Sequence, residues 1–145
     1  MIKENINYYK ILPKPFDIEN LIEILKKISN NSIKNESKKR IISLLNNFNF
    51  NKSSVGYTYL IDILNFCIEN EIKYINNLKN IYQKLELKYN KNLSYKKIEW
   101  NIEKSIRTMN NYTDPLILNK YFYYTNFPSS KVFINGLLYI YYDKF

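Results

Sequence analysis

Residues 78–109 read LKNIYQKLELKYNKNLSYKKIEWNIEKSIRTM, and the order of apolar and charged residues in this stretch decides the fold. Its spacing predicts two amphipathic helices, one over about 76–90 and one over about 94–109. Asn90-Lys91-Asn92-Leu93 forms the turn between them. In the first helix Leu78, Ile81, Tyr82, Leu85 and Tyr89 share one stripe. Winding the second at roughly 100° per residue puts Ile98, Ile102, Ile106 and Met109 on one narrow stripe, with Ser105 beside them. That stripe is expected to pack on the first helix. Ser94 is placed to cap the second helix, and Lys97 at the third position leaves the capping box incomplete. Lys96, Trp100, Glu103, Lys104 and Arg107 fall on the opposite face, flanked by Lys97 and Glu99.

Two helices joined by a tight turn, the second basic on its outer side, have the layout of a helix-turn-helix. Between residues 78 and 108 there are eight basic side chains (Lys79, Lys84, Lys88, Lys91, Lys96, Lys97, Lys104, Arg107) and three acidic ones (Glu86, Glu99, Glu103). More than half of the net charge of +9 is therefore concentrated in about a fifth of the chain. Neutralising several phosphates requires such clustering, and the resulting affinity is steeply salt-dependent. Lysine and arginine reach guanine or phosphate, glutamate accepts from cytosine, and an aromatic ring touches a thymine methyl. The bland reading of the same pattern is a solvated amphipathic helix, because charge on an exposed face is the default. A large aromatic at the centre of that face, Trp100, marks a contact surface, for DNA or for protein.

Outward from this pair, the spacing predicts further helices. Residues 6–12 read as an apolar strand rich in Tyr and Ile, and Pro13-Lys14-Pro15 breaks the chain after it. Asp17 caps a helix to about Ile28, with Ile18, Leu21, Ile22, Leu25 and Ile28 on one face. A single strand and one helix cannot fold alone, so this piece must dock on something. Residues 30–37 are polar and read as a linker. Helices follow over about 38–47 and 56–70, with a loop from Asn49 to Val55, and a last helix runs over about 130–142. The Tyr-rich stretch Tyr121 to Tyr124 is expected to pack against the helical core. The expected fold is all-α, a compact bundle containing the helix-turn-helix, preceded by a short strand-plus-helix. The expected divisions are 1–29, a linker of 30–37, and a main domain of 38–145.

Composition narrows the chemistry. Histidine is absent and there is one cysteine, Cys67. Serine–histidine triads, histidine proton shuttles and cysteine-rich metal sites are therefore excluded. Cys67 reads as a small core residue, since no base accompanies it. Asp62 and Glu69 lie seven apart on a helix and read as a solvated surface pair. No Gly-rich phosphate loop is present, and no enzyme activity is expected. No apolar run is long enough to span a bilayer, and the first residues lack a secretory apolar core. A cytoplasmic protein with no membrane partner is expected.

The residues also resemble a known family. From about Lys38 onward the chain is similar to the C-terminal DNA-binding domain of sporulation initiation response regulators, the stage 0 sporulation protein A family. Val55-Gly56-Tyr57-Thr58-Tyr59-Leu60 looks like that domain's Gly-Tyr-x-Tyr-Leu helix start. Ile81-Tyr82-Gln83-Lys84-Leu85 with Lys88-Tyr89-Asn90 looks like its scaffold helix. Ile98-Glu99-x-x-Ile102-x-x-x-Ile106 looks like its recognition helix, and Pro128 to Ile134 like the lead-in to its last helix. Ile11 to Leu21, with Lys14-Pro15-Phe16, resembles the end of a receiver domain, so residues 1–29 are expected to be a receiver remnant. Lys14 would be the lysine that senses the phosphoryl group in complete receivers.

The resemblance implies a DNA-binding regulator with double-stranded DNA as partner. Lys96, Lys97, Glu99, Trp100 and Lys104 are expected at base edges or the groove wall, and Lys88, Lys91, Arg107 and Lys131 at phosphates. RNA polymerase is a further expected partner of such a regulator. The receiver's acidic pocket and phosphoacceptor would precede Met1. Phosphorylation control and the receiver's divalent-cation site are accordingly expected to be missing, and no cofactor is expected. Trp100 and Glu103 stand where the family carries arginines, so the sequence read should differ. The alternative is a protein-interaction module, in which helix 17–28 pairs with its twin or with a full-length response regulator.

Overall fold

The structure is a computed structural model, and it describes residues 18–89, 93–122 and 129–145. Among the described residues there are six helices and no strand. They are α1 (Ile18–Leu45), α2 (Val55–Glu69), α3 (Leu78–Lys88), α4 (Tyr95–Tyr112), α5 (Pro115–Phe122) and α6 (Ser130–Lys144). The all-α expectation holds for these residues. The strand expected over 6–12 lies outside them.

The chain divides into two units, residues 1–33 and 34–145. In the first, residues 18–33 are helical. Ile18, Ile22, Leu25, Ile28 and Ile33 are exposed there. The local structure around residues 29–37 corrects the sequence reading. Residues 29–37 are helical, part of the 28 continuous residues of α1, while the division between the two units falls within the stretch 30–37. Serine and asparagine are weak helix formers, costing only tenths of a kcal/mol each, whereas glycine and proline, which break helices, are absent from this stretch. Once apolar turns on either side have nucleated, propagation through polar residues is cheap. An i,i+4 contact between Arg40 and Glu36 at 3.5 Å adds support.

In the second unit, α4 packs chiefly on α2 and α3. The two helices α2 and α4 meet at Gly56. A Cβ there would lie 2.1 Å from the Asn101 carbonyl oxygen and 2.3 Å from Ser105 Oγ. Only a residue without a side chain lets the two backbones approach so closely. Ser54 caps α2 by accepting from the Tyr57 backbone N–H at 3.2 Å, and its Oγ also lies 3.0 Å from Ser105 Oγ. The far end of α2 closes with Glu71 in the left-handed region at φ 56°, while the Ile72 N–H donates to the Cys67 carbonyl at 2.7 Å.

The loop after α2 is held from α6. Asn135, buried, accepts from the Ile75 N–H at 2.7 Å and donates to the Ile75 carbonyl at 3.0 Å. Pairing both backbone groups of a buried residue removes two desolvation costs at once. An aromatic cluster fills the space between the end of α1, α5 and α6. Phe48 packs against Phe122 in a tilted arrangement at 5.5 Å and edge-to-face against Phe133 at 5.7 Å, and Gly136 leaves room for the Phe122 ring. The α5 helix was not foreseen, since the sequence after Pro115 read only as a Tyr-rich stretch. Its start is local chemistry. Pro115 occupies the first position, where its missing N–H costs nothing, and the Asp114 carboxylate accepts from the Leu116 N–H at 2.9 Å.

Candidate nucleic-acid interface

The α4 helix separates its two sides sharply. Ile98, Ile102, Ile106 and Met109 have no exposed surface, and Ser105 is buried beside them. Burying each such side chain is worth about 1.5–3 kcal/mol, so this stripe fixes the helix's rotation about its axis. The opposite side is open. Trp100 is 59% exposed, and Lys96, Lys97, Glu103, Lys104 and Arg107 are exposed with it. Glu99 is half-buried at the margin.

The start of α4 is fixed by two caps. Ser94 Oγ accepts from the Lys97 N–H at 3.4 Å, as its position in the sequence predicts. The second cap comes from the neighbouring helix. Glu86 on α3 accepts from the Tyr95 N–H at 3.0 Å, satisfying another free donor of the first turn. A carboxylate at this helix end also meets the positive end of the helix dipole.

On the outer face the Lys104 ammonium lies 4.9 Å from the centroid of the Trp100 ring. This cation–π contact orders two long side chains on a solvent-facing surface. Trp100, Glu103, Lys104 and Arg107 line a shallow depression of about 240 Å³. Lys104 also borders a second, polar cleft of about 320 Å³, shared with Asn51, Ser53 and Ser54 at the start of α2 and with Asn101 and Thr108 of α4. Sequence reasoning did not include Asn51, Ser53 and Thr108. Thr108 lies on α4 itself, whereas Asn51 and Ser53 reach Lys104 through the close approach at Gly56, and no local pattern links residues so far apart in the chain.

The structure thus brings Lys96, Lys97, Trp100 and Lys104 together on one face, with Glu99 at its edge and Arg107 in the same depression as Trp100. Lys131 is exposed in the first turn of α6. Lys88 ends α3, lies 3.7 Å from Asp62, and lines a cleft to which no α4 residue contributes. Lys91 lies outside the described residues. Asp62 and Glu69 each face a lysine, Lys88 at 3.7 Å and Lys34 at 3.6 Å. Cys67 is fully buried, and burial pushes its thiol up to about 12, which suits a packing role. Among the described residues no cluster could hold a metal ion, and no helix is long and apolar enough to cross a membrane.

Residues 41–138 match the model of the family described as sporulation initiation factor Spo0A C terminal, and the chain belongs to that family. This is a family of DNA-binding regulator domains, not of enzymes. No curated protein and no solved structure matches the chain.

Proposed function

We propose that α3 and α4 act as a helix-turn-helix and that α4 enters the major groove of double-stranded DNA. One observation carries this reading. The isoleucine stripe of α4 is wholly buried, while its lysines and Trp100 face solvent. Lys96, Lys97, Glu99, Trp100 and Lys104 meet base edges or the groove wall in this reading. Arg107, Lys131, Lys91 and Lys88 meet phosphates, with Lys88 first leaving Asp62. Membership of a DNA-binding regulator family supports the same partner. The test is duplex binding followed across a salt series. Affinity that falls steeply with salt is expected. No binding at low salt, or affinity indifferent to salt, removes the proposal.

The exposed row on α1 favours a second reading, self-association or pairing with a full-length regulator. Five large apolar side chains, Ile18, Ile22, Leu25, Ile28 and Ile33, are between 44% and 63% exposed on one helix. Light scattering on the eluting protein separates the outcomes. A monomer at all concentrations, indifferent to a full-length homologue, rules this reading out.

A further inference from the structure

The outer face of α4 has two unlike flanks. With Trp100 taken as its centre, Lys97, Asn101, Lys104 and Thr108 lie about 40–100° to one side, and Glu99 and Glu103 about 60–100° to the other. The two carboxylates lie toward α3, where their charge adds to burial in raising the Tyr82 phenol. On the opposite flank α4 and the start of α2 form the polar cleft of about 320 Å³. Among the described residues no carboxylate lines it.

The polar groups of this cleft are unequally engaged. Ser54 Oγ and Ser105 Oγ meet each other at 3.0 Å, and the Asn101 amide donates to the Lys97 carbonyl at 2.8 Å. Asn51 Oδ1 accepts from the Ser53 N–H at 3.1 Å, which leaves the Asn51 amide N–H groups as donors to the cleft. The hydroxyls of Ser53 and Thr108 have no partner among the described residues. Donors without carboxylates, beside a lysine, suit the oxygens of a phosphate, which only accept. Lys104 borders both this cleft and the Trp100 depression, so the cleft is continuous with the face that meets DNA in the reading above. We propose that the cleft seats one phosphodiester of the DNA strand running along the α2 side of α4, with the Ser53 and Thr108 hydroxyls and the Asn51 amide donating to its oxygens. This rests on the groove reading and adds which flank of α4 lies against a strand. Contacts of this kind set the orientation of the helix and carry no sequence information of their own.

The test titrates the whole chain into a fluorescent random-sequence duplex across a salt series. S53D sets a like charge against the phosphate and loses about tenfold or more in affinity at low salt. N119D puts the same charge on the exposed surface of α5 and stays within about twofold of the parent chain. S53K binds more tightly, and its salt slope steepens by about 0.9. S53A/T108V loses about threefold or more with its slope unchanged, since neither hydroxyl displaces a counterion. Melting curves check each fold, and S53A alone repeats the measurement if the double variant unfolds. Should the parent bind while S53D behaves as N119D does, or the S53K slope stay at the parent value, the cleft assignment is overturned and the groove reading stands. A parent chain that binds no duplex removes both. Competition by inorganic phosphate beyond that of chloride at equal ionic strength, abolished by S53D, gives the cleft to a free anion and also overturns the proposal.

Discussion

The Glu86 carboxylate on α3 accepts a hydrogen bond from the Tyr95 backbone N–H at 3.0 Å, so the first turn of α4 is capped by the helix before it. The bond ties the end of α3 directly to the start of α4. Glu86→Ala should cost about 1 kcal/mol, the usual loss when a helix cap is removed. Glu86→Gln should cost less, since an amide oxygen still accepts. Urea midpoints for the three chains check the order.

On the outer face of α4 the predictions separate stability from binding. Trp100→Ala removes an exposed side chain and should change stability by no more than about 0.5 kcal/mol. DNA affinity should fall, and its salt slope should stay as it was. Arg107→Ala should instead reduce that slope by about 0.9, if its guanidinium displaces one counterion. Salt titrations of both variants distinguish a groove contact from a phosphate contact.

Gly56 and Gly136 should respond differently to alanine. A Cβ at Gly56 meets the Asn101 backbone, which cannot move without moving α4. Gly56→Ala should cost about 3 kcal/mol or more, at the upper end for overpacking. At Gly136 the new methyl meets only the Phe122 ring, with the nearest carbon at 2.5 Å. A ring at the end of a short helix can swing, so Gly136→Ala should cost about 1 kcal/mol. Thermal melts of the two variants give the comparison.

Much of this arrangement is legible along the chain. The isoleucine stripe of α4, its Ser94 cap and its outward lysines follow from period and composition, because burial and capping are local. What joins distant segments is not legible. Glu86 reads as one more surface acid until Tyr95 is seen beside it, and Asn135 gives no hint of clamping Ile75. Residues 29–37 mislead for another reason. Their polarity matches that of a linker, and only the absence of glycine and proline argued for a continuous helix. The α5 helix was missed because its Asp-Pro start is short and the aromatic residues after it drew the reading toward packing.

A stabilising change is available at Glu71. Its backbone sits at φ 56°, where a side chain is disfavoured. Glu71→Gly should raise stability by about 0.5–1 kcal/mol, the conformational relief outweighing the greater freedom glycine brings to the unfolded chain. Denaturant midpoints decide it, and a loss would mean that the Glu71 side chain makes a compensating contact.

Alkaline pH should unfold the bundle from within. Burial raises the Cys67 thiol from 9.0 to about 12 and raises the Tyr82 phenol above its ordinary 10.0. Both groups are neutral when protonated, so above these ordinary values the folded chain retains protons that the unfolded chain releases. Stability from this source is intact below pH 9.0 and falls as pH rises toward about 12. Cys67→Ala should delay the onset to the ordinary tyrosine value of 10.0. Melting temperatures measured across that range check the sign.

Trp100 is the chain's one tryptophan, and it stands 59% exposed on α4. The native indole already emits from a watery environment, so melting will move its spectrum little. Anything that stacks on or covers α4's outer face will quench or shift it. The protein therefore carries an optical reporter of contact at this helix that is nearly blind to unfolding.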